Sequence, residues 1–323
     1  MSGPRRDGSF RSGMVTIVGR PNVGKSTLLN RLVGRKVAIM SDKPQTTRNR
    51  ITGVLTRESS QIVFIDTPGL HRPKHQLGEY MVRVALAALR EVEGVLFVVE
   101  AHEPPGPGDR FVAERLAGIG PPVVLVANKA DLCRGDTLRQ HLEAYAALGE
   151  FAGLQPVSAL RDPSFELLIR TIEDLLPEGP RYYPEDMVTD QPEAFVIAEL
   201  VREKVLELTR DEVPHSVAVA VEELRPAAGR SKDARPERAG ETGPAREDML
   251  YVRAVIYVER DSQKGIIVGA KGSRLGEIGR LARREMEALF GNRIYLDLWV
   301  KVEKNWRDRA GVLRALGYTL PRD

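Results

Sequence analysis

The sequence predicts an α/β chain, a doubly wound and mostly parallel sheet domain followed by a smaller α+β domain. Three observations carry that reading. Apolar runs without polar alternation recur between helix-patterned segments over the first 176 residues, as in strands covered on both faces. A glycine-rich loop directly follows the first of these runs, and beyond a proline-rich break the pattern changes to the order α-β-β-α-α-β.

Met14–Val18, Gln61–Ile65, Val95–Val99 and Val123–Ala127 are the central strands of the first domain. A fifth, Leu154–Val157, precedes a helix whose Phe165, Leu168, Ile169, Ile172 and Leu176 keep helical spacing. Pro177, Pro180 and Pro184 end the pattern. The expected organisation is a flexible start (1–12), a first domain (13–180), a linker (181–191) and a second domain (192–323). In the second domain a helix over 193–209 is followed by a strand over 216–221. Residues 225–248 form a polar insertion with no bulky apolar side chain, expected to be a mobile loop or hairpin tip. Strand Leu250–Val258, two helices joined at a glycine turn and ending near Phe290, strand Ile294–Val302 and a short last helix complete it.

The net charge is only +3, but residues 249–323 carry fifteen Lys or Arg against nine Asp or Glu. All of the basic excess is C-terminal, which suits a domain that meets a polyanion. One cysteine, Cys133, excludes an intramolecular disulfide framework and disfavours a cysteine zinc site. With no apolar leader or membrane-length run, the expectation is a soluble cytoplasmic protein.

Residues 19–27 read Gly19-Arg20-Pro21-Asn22-Val23-Gly24-Lys25-Ser26-Thr27, a complete G-x-x-x-x-G-K-[ST] loop between a strand and a helix. Consecutive N–H groups of such a loop converge on phosphate oxygens, and the helix dipole adds positive potential. Strand Gln61–Ile65 runs into Asp66-Thr67-Pro68-Gly69, where a carboxylate can hold the hydration shell of Mg²⁺ and the Gly69 N–H can approach a γ-phosphate. Strand Val123–Ala127 ends in Asn128-Lys129-Ala130-Asp131. The Asp131 carboxylate can accept from both N1–H and the 2-amino group of guanine, a pair that adenine does not present.

Together and in this order, these segments resemble the GTPase superfamily of phosphate-loop proteins. The resemblance implies that Asn22, Val23, Gly24, Lys25, Ser26 and Thr27 cradle the phosphates, with Lys25 on the β- and γ-phosphates. It implies that Asn128, Lys129, Asp131, Ser158 and Ala159 surround the base. Ser26 would ligate Mg²⁺, Thr47 of Gln45-Thr46-Thr47-Arg48 would add a second hydroxyl, and Asp66 would act through water, so Lys25, Thr47 and Gly69 carry catalysis. After Gly69 comes Leu70, where Ras-like enzymes place a water-orienting glutamine. Hydrolysis is therefore expected to be slow, with Arg48 and His71 weighed as water-positioning groups against a surface role for both. Asn22 resembles the potassium-binding asparagine of the ribosome-assembly branch, and whether it holds K⁺ or is a plain turn asparagine stays open.

Gly269-Ala270-Lys271-Gly272 is a G-x-x-G, worth little as a string in a chain with 29 glycines. Its context raises its value: Leu275, Ile278, Ala282, Met286 and Leu289 keep helical spacing beyond it, and a strand follows. Two helices meeting there within α-β-β-α-α-β resemble the type II KH domain, which clamps about four unpaired nucleotides. By that resemblance Gly269, Ala270, Lys271, Gly272 and Arg274 bind RNA, and Arg280, Arg283 and Arg284 extend a phosphate track. Trp299 and Trp306 are read as core or helix-docking aromatics rather than as base-stacking platforms.

One GTPase domain and one type II KH domain resemble the Era family of bacterial ribosome-assembly GTPases over nearly the whole chain. The resemblance implies GTP and GDP as ligands and small-subunit ribosomal RNA near its 3′ end as partner, together with the small ribosomal subunit. It leaves room for peripheral association with the inner face of the cell membrane. The rival readings are a switch acting through a protein effector or another RNA. A tRNA-modifying GTPase would be expected to end in a reactive cysteine motif rather than Leu320-Pro321-Arg322-Asp323, and a tandem GTPase needs a second phosphate loop.

Overall fold

The computed structural model describes residues 9–73, 75–227 and 249–319. They divide into two units, one of residues up to Gln191 joined by Tyr318, the other Pro192–Gly317.

The first unit is built on strands β1 (Arg11–Val18), β2 (Ile51–Thr56), β3 (Ser60–Asp66), β4 (Gly94–Glu100), β5 (Val123–Asn128) and β6 (Gly153–Pro156). Their order is β2-β3-β1-β4-β5-β6, parallel except where β2 pairs antiparallel with β3. Every residue of β3, β4 and β5 is buried. That explains their unbroken apolar runs, because both faces are covered by helices. These are α1 (Lys25–Val33), α2 (Gln76–Ala87), α3 (Pro107–Leu116), α4 (Gly135–Ala146) and α5 (Glu166–Leu175). Phe64 and Phe97 are fully buried, each contributing on the order of 2 to 3 kcal/mol by leaving water. Tyr318 packs edge-on against Tyr80 in this unit, with ring centroids 5.7 Å apart.

β2 was not expected from the sequence. Its Thr52 and Gly53 interrupt the apolar pattern, yet both are buried, because Gly53 lies under Leu29 of α1.

The second unit places α6 (Glu193–Leu208), α7 (Val213–Ser216), α8 (Asp261–Val268), α9 (Ser273–Phe290) and α10 (Ala310–Ala315) around strands β7 (Ala218–Pro226), β8 (Met249–Val258) and β9 (Arg293–Val302). The sheet order is β7-β8-β9, antiparallel then parallel. Its core joins Val201 and Val205 of α6 to Ile256, Ile278, Ala282 and Met286. Two boundaries differ from expectation. Ser216, the expected start of the strand, instead ends a helical turn over 213–216, and β7 begins at Ala218 and runs on through Arg225 and Pro226, which pair with Tyr251 and Leu250. The rest of the expected mobile insertion, 228–248, lies outside the described residues. No helix among the described residues is long and apolar enough to cross a membrane.

Candidate functional site

β1 ends at Val18 and α1 begins at Lys25, so residues 19–24 form a loop whose N–H groups gather at a helix start. Gly24 has φ of 95°, and a Cβ there would stand 2.3 Å from Asn128 Nδ2. Only glycine meets both conditions. The same Nδ2 donates to the Val23 carbonyl at 2.8 Å, while Asn128 Oδ1 accepts from the Ala159 N–H at 2.9 Å. Asn128 is thus buried as a staple between the phosphate loop and the segment after β6.

Ser26, Thr47 and Asp66 come from three separate elements and meet at one point. Ser26 Oγ donates to Asp66 Oδ2 at 2.7 Å and lies 2.8 Å from Thr47 Oγ1, and Thr47 Oγ1 donates to the same Oδ2 at 3.1 Å. Asp66 Oδ1 is buried with no side-chain donor on it. Two hydroxyls and a carboxylate so arranged suit a hard divalent cation such as Mg²⁺. Burial pushes the Asp66 carboxyl above its ordinary value, opposed by Lys25 and the two hydroxyl donors. Burial likewise pushes the Lys25 ammonium down, opposed by Asp66. Lys25 Nζ donates to the Arg20 carbonyl at 3.1 Å. A bound cation and phosphates would relieve both buried charges.

A cavity of about 340 Å³ opens here, lined by Asn22, Lys25, Ser26, Thr47, Gly69 and Lys129 among others. A Cβ on Gly69 would lie 2.7 Å from the Pro21 nitrogen, so the turn after β3 closes on the phosphate loop. Asn22, at φ 68°, donates through Nδ2 to the Asp42 carbonyl at 2.9 Å. Its amide nitrogen therefore faces a backbone oxygen, and a K⁺ ion held by this pair would replace that hydrogen bond, with the amide oxygen turned to the ion. Lys129, at φ 60°, donates to the Asn22 carbonyl at 3.0 Å and pairs with Glu100. Glu100 also binds Arg20. Sequence reasoning missed Glu100, although an acidic residue closing an apolar strand at the ligand edge is a readable signal.

Asp131 is exposed on the short turn after β5, with its carboxylate open to a ligand. Ser158 and Ala159 are buried in the segment after β6, and Ser158 N–H donates to Asp162 at 2.7 Å. Leu70 is buried in the apolar core and turned away from the cavity. Arg48 is 2 % exposed, which corrects the surface role weighed for it, and donates to the Tyr318 hydroxyl at 3.4 Å. His71 is half-buried, with Nδ1 2.9 Å from the Gly69 carbonyl and Nε2 3.3 Å from Gln45 Nε2.

In the second unit, Gly269, Lys271 and Gly272 have φ of 70°, 51° and 80°, a left-handed turn that presents Ala270 and Lys271 to solvent between α8 and α9. Arg274 donates to the Ile266 carbonyl at 2.7 Å, so at least one of its donors holds the turn together. Beside the turn lies a groove of about 370 Å³ lined by Leu275, Gly276, Arg280, Arg283, Leu296 and Leu298. Arg284 does not line it. Trp306 is fully buried and its indole donates to the Ser216 carbonyl at 2.8 Å. Trp299 is 56 % exposed, which corrects its reading as a core aromatic.

A family profile described as "50S ribosome-binding GTPase" matches residues 14–129, and one described as "KH domain" matches 237–307. The structure of Era in complex with MgGDPNP and nucleotides 1506–1542 of 16S ribosomal RNA superposes with a TM-score of 0.88. It is 41% identical over 96% of this chain and 100% of its own. The chain belongs to the Era family of GTPases. A variant of Era from Aquifex aeolicus bound to GDP and AlF4⁻ gives the same TM-score, 0.88, at 41% identity over 96% of this chain and 100% of its own. As an Era-family GTPase the chain converts GTP to GDP and phosphate, and its two units are the two domain types that the family joins.

Proposed function

We propose that this Era-family protein binds small-subunit ribosomal RNA near its 3′ end through the groove beside Gly269-Ala270-Lys271-Gly272, and that it assists small-subunit assembly in a GTP-dependent manner. The observation that carries this reading is the left-handed, solvent-facing turn opening onto a groove with apolar floor and arginine rim. Such a groove takes the bases of an unpaired strand while main-chain N–H groups take its phosphates. The similar Era structure holds nucleotides 1506–1542 of 16S RNA. The "50S" description belongs to a match confined to the nucleotide-binding part, residues 14–129, and so does not choose the RNA.

In the proposed mechanism Lys25 binds the β- and γ-phosphates, and Gly69 offers its N–H to the γ-phosphate. Ser26 and Thr47 would hold Mg²⁺, with Asp66 acting through water. When bound, that ion neutralises charge developing on the phosphates. Asn22 and the Asp42 carbonyl would hold K⁺ beside them. Asp131 selects guanine, and Asn128 holds the phosphate loop to the base-side segment. Leu70, being buried and apolar, orients no water, so the intrinsic rate is slow. The protein acts in the cytoplasm, with any membrane association peripheral.

The test is affinity for a single-stranded RNA of the 16S 3′ region, measured with GDP and with a non-hydrolysable GTP analogue. Exchanging both Ala270 and Lys271 for Asp puts carboxylates against the phosphates and should lower affinity by about 100-fold while GTP binding survives. Undiminished RNA binding by the folded double variant rules out the groove. Equal affinity in the two nucleotide states rules out the coupling.

A further inference from the structure

The groove uses only one side of β9. Leu296 and Leu298 face it, while Tyr295 and Trp299 alternate onto the opposite face of the sheet, 58% and 56% exposed. Neither ring is needed for the core. Across that outer face the register aligns Arg225 with Tyr251 and Tyr251 with Tyr295, one residue from each strand. The Arg225 guanidinium lies 4.5 Å from the Tyr251 ring centroid, and the Tyr251 and Tyr295 rings stack at 5.7 Å with 12° between their planes.

This row is closed at one end by Arg225 and ends at Tyr295 on the edge strand β9. Trp299 stands four residues further along the same face, about 13 Å away at the usual strand rise. The other end of the face is bordered by Val312 and Leu316 at and just beyond α10, which line a cavity with Ala220 and Tyr257.

The charges here nearly cancel. Arg253 pairs with Asp297 at 3.2 Å and Lys301 with Glu222 at 2.8 Å. Phosphate attraction is therefore not what this face offers. It offers flat rings.

We propose that Tyr295 and Trp299 form a base-stacking platform for single-stranded RNA continuous with the strand in the groove. The inference rests on the RNA reading of the groove. An RNA strand leaving the groove has only the β9 edge to cross before its next bases meet Tyr295. A further planar ring extends the Arg225–Tyr251–Tyr295 row, and Trp299 takes another base beyond it. Stacking is tolerant of sequence, so the platform adds affinity and length preference rather than base specificity.

The experiment uses the full chain and two single-stranded RNAs, one of about four nucleotides that fills the groove and one extended by about six on each side. The double variant Tyr295→Ala, Trp299→Ala should bind the short RNA as the wild type does, hydrolyse GTP at the same rate, and lose on the order of 10-fold or more on the long RNA. Tyr295→Phe with Trp299→Phe should restore the long-RNA affinity, whereas Lys271→Asp should weaken both RNAs. Unchanged long-RNA affinity in the Ala variant overturns the platform. So does an equal loss on both RNAs with a lowered melting temperature, which marks a structural role. Loss of binding to the small ribosomal subunit with unchanged RNA affinity would assign the face to a protein partner and also overturns it. A wild type that fails to bind the short RNA defeats the groove reading itself, and the platform with it.

Discussion

Asn128→Ala tests whether the base-side motif also builds the phosphate loop. The side chain is 2 % exposed; it donates to the Val23 carbonyl at 2.8 Å and accepts from the Ala159 N–H at 2.9 Å. Truncation leaves an acceptor and a donor buried without these partners. An unmet buried group costs about 1 to 3 kcal/mol, so two at the lower half of that range lose about 3 kcal/mol. Urea unfolding of nucleotide-free protein should show that loss as a lower midpoint with unchanged slope. Binding must then also order the loop, and 3 kcal/mol corresponds to a fall of about 100-fold in GDP affinity. Asn128→Asp keeps the acceptor for Ala159 but sets a carboxylate against the Val23 carbonyl, so its GDP affinity should be no better. A fluorescent-GDP titration reads both variants. If Asn128→Ala changes stability by less than about 0.5 kcal/mol, the scatter of neutral surface changes, and leaves GDP affinity intact, the staple does not organise the loop.

Asp131→Asn turns a double acceptor into a mixed amide and should shift preference from GTP toward xanthosine triphosphate; an unchanged preference in competition binding removes Asp131 from base recognition. Because burial raises the Asp66 carboxyl pKa, its proton competes with Mg²⁺ at a higher pH than for an ordinary aspartate. The thermal stabilisation that Mg²⁺ gives the GDP complex should therefore be full above the raised value and shrink as pH falls through it, and Asp66→Asn should flatten the profile. GTP turnover should be faster in K⁺ than in Na⁺ if Asn22 and the Asp42 carbonyl hold the ion; equal rates, with Asn22→Asp indifferent, exclude that site.

The nucleotide motifs were legible because each is a local device. Residues 19–27 need a loop between a strand and a helix, and that requirement is written in contiguous residues. The strands β3, β4 and β5 were equally plain, since a strand covered on both faces is apolar through most of its length. Strand β2 was not, because its Thr52 and Gly53 look like loop residues until α1 is placed over them. The turn of the second unit could be found from its two glycines and the helical spacing beyond, but not its groove, whose floor comes from Leu296 and Leu298 on a strand about 25 residues later.

By itself, then, the sequence determined the fold class, the two-part organisation and the phosphate and base motifs, all of which depend on backbone preferences and periodicities within one segment. Only the tertiary structure decided environments. It brought Thr47 and Asp66 to Ser26, buried Arg48 and Asn128, and exposed Trp299 while enclosing Trp306. The physical reason is that burial and partnership belong to pairs of surfaces contributed by distant segments. Two tryptophans seven residues apart carry the same side chain, and nothing local says which of them a neighbouring element will cover.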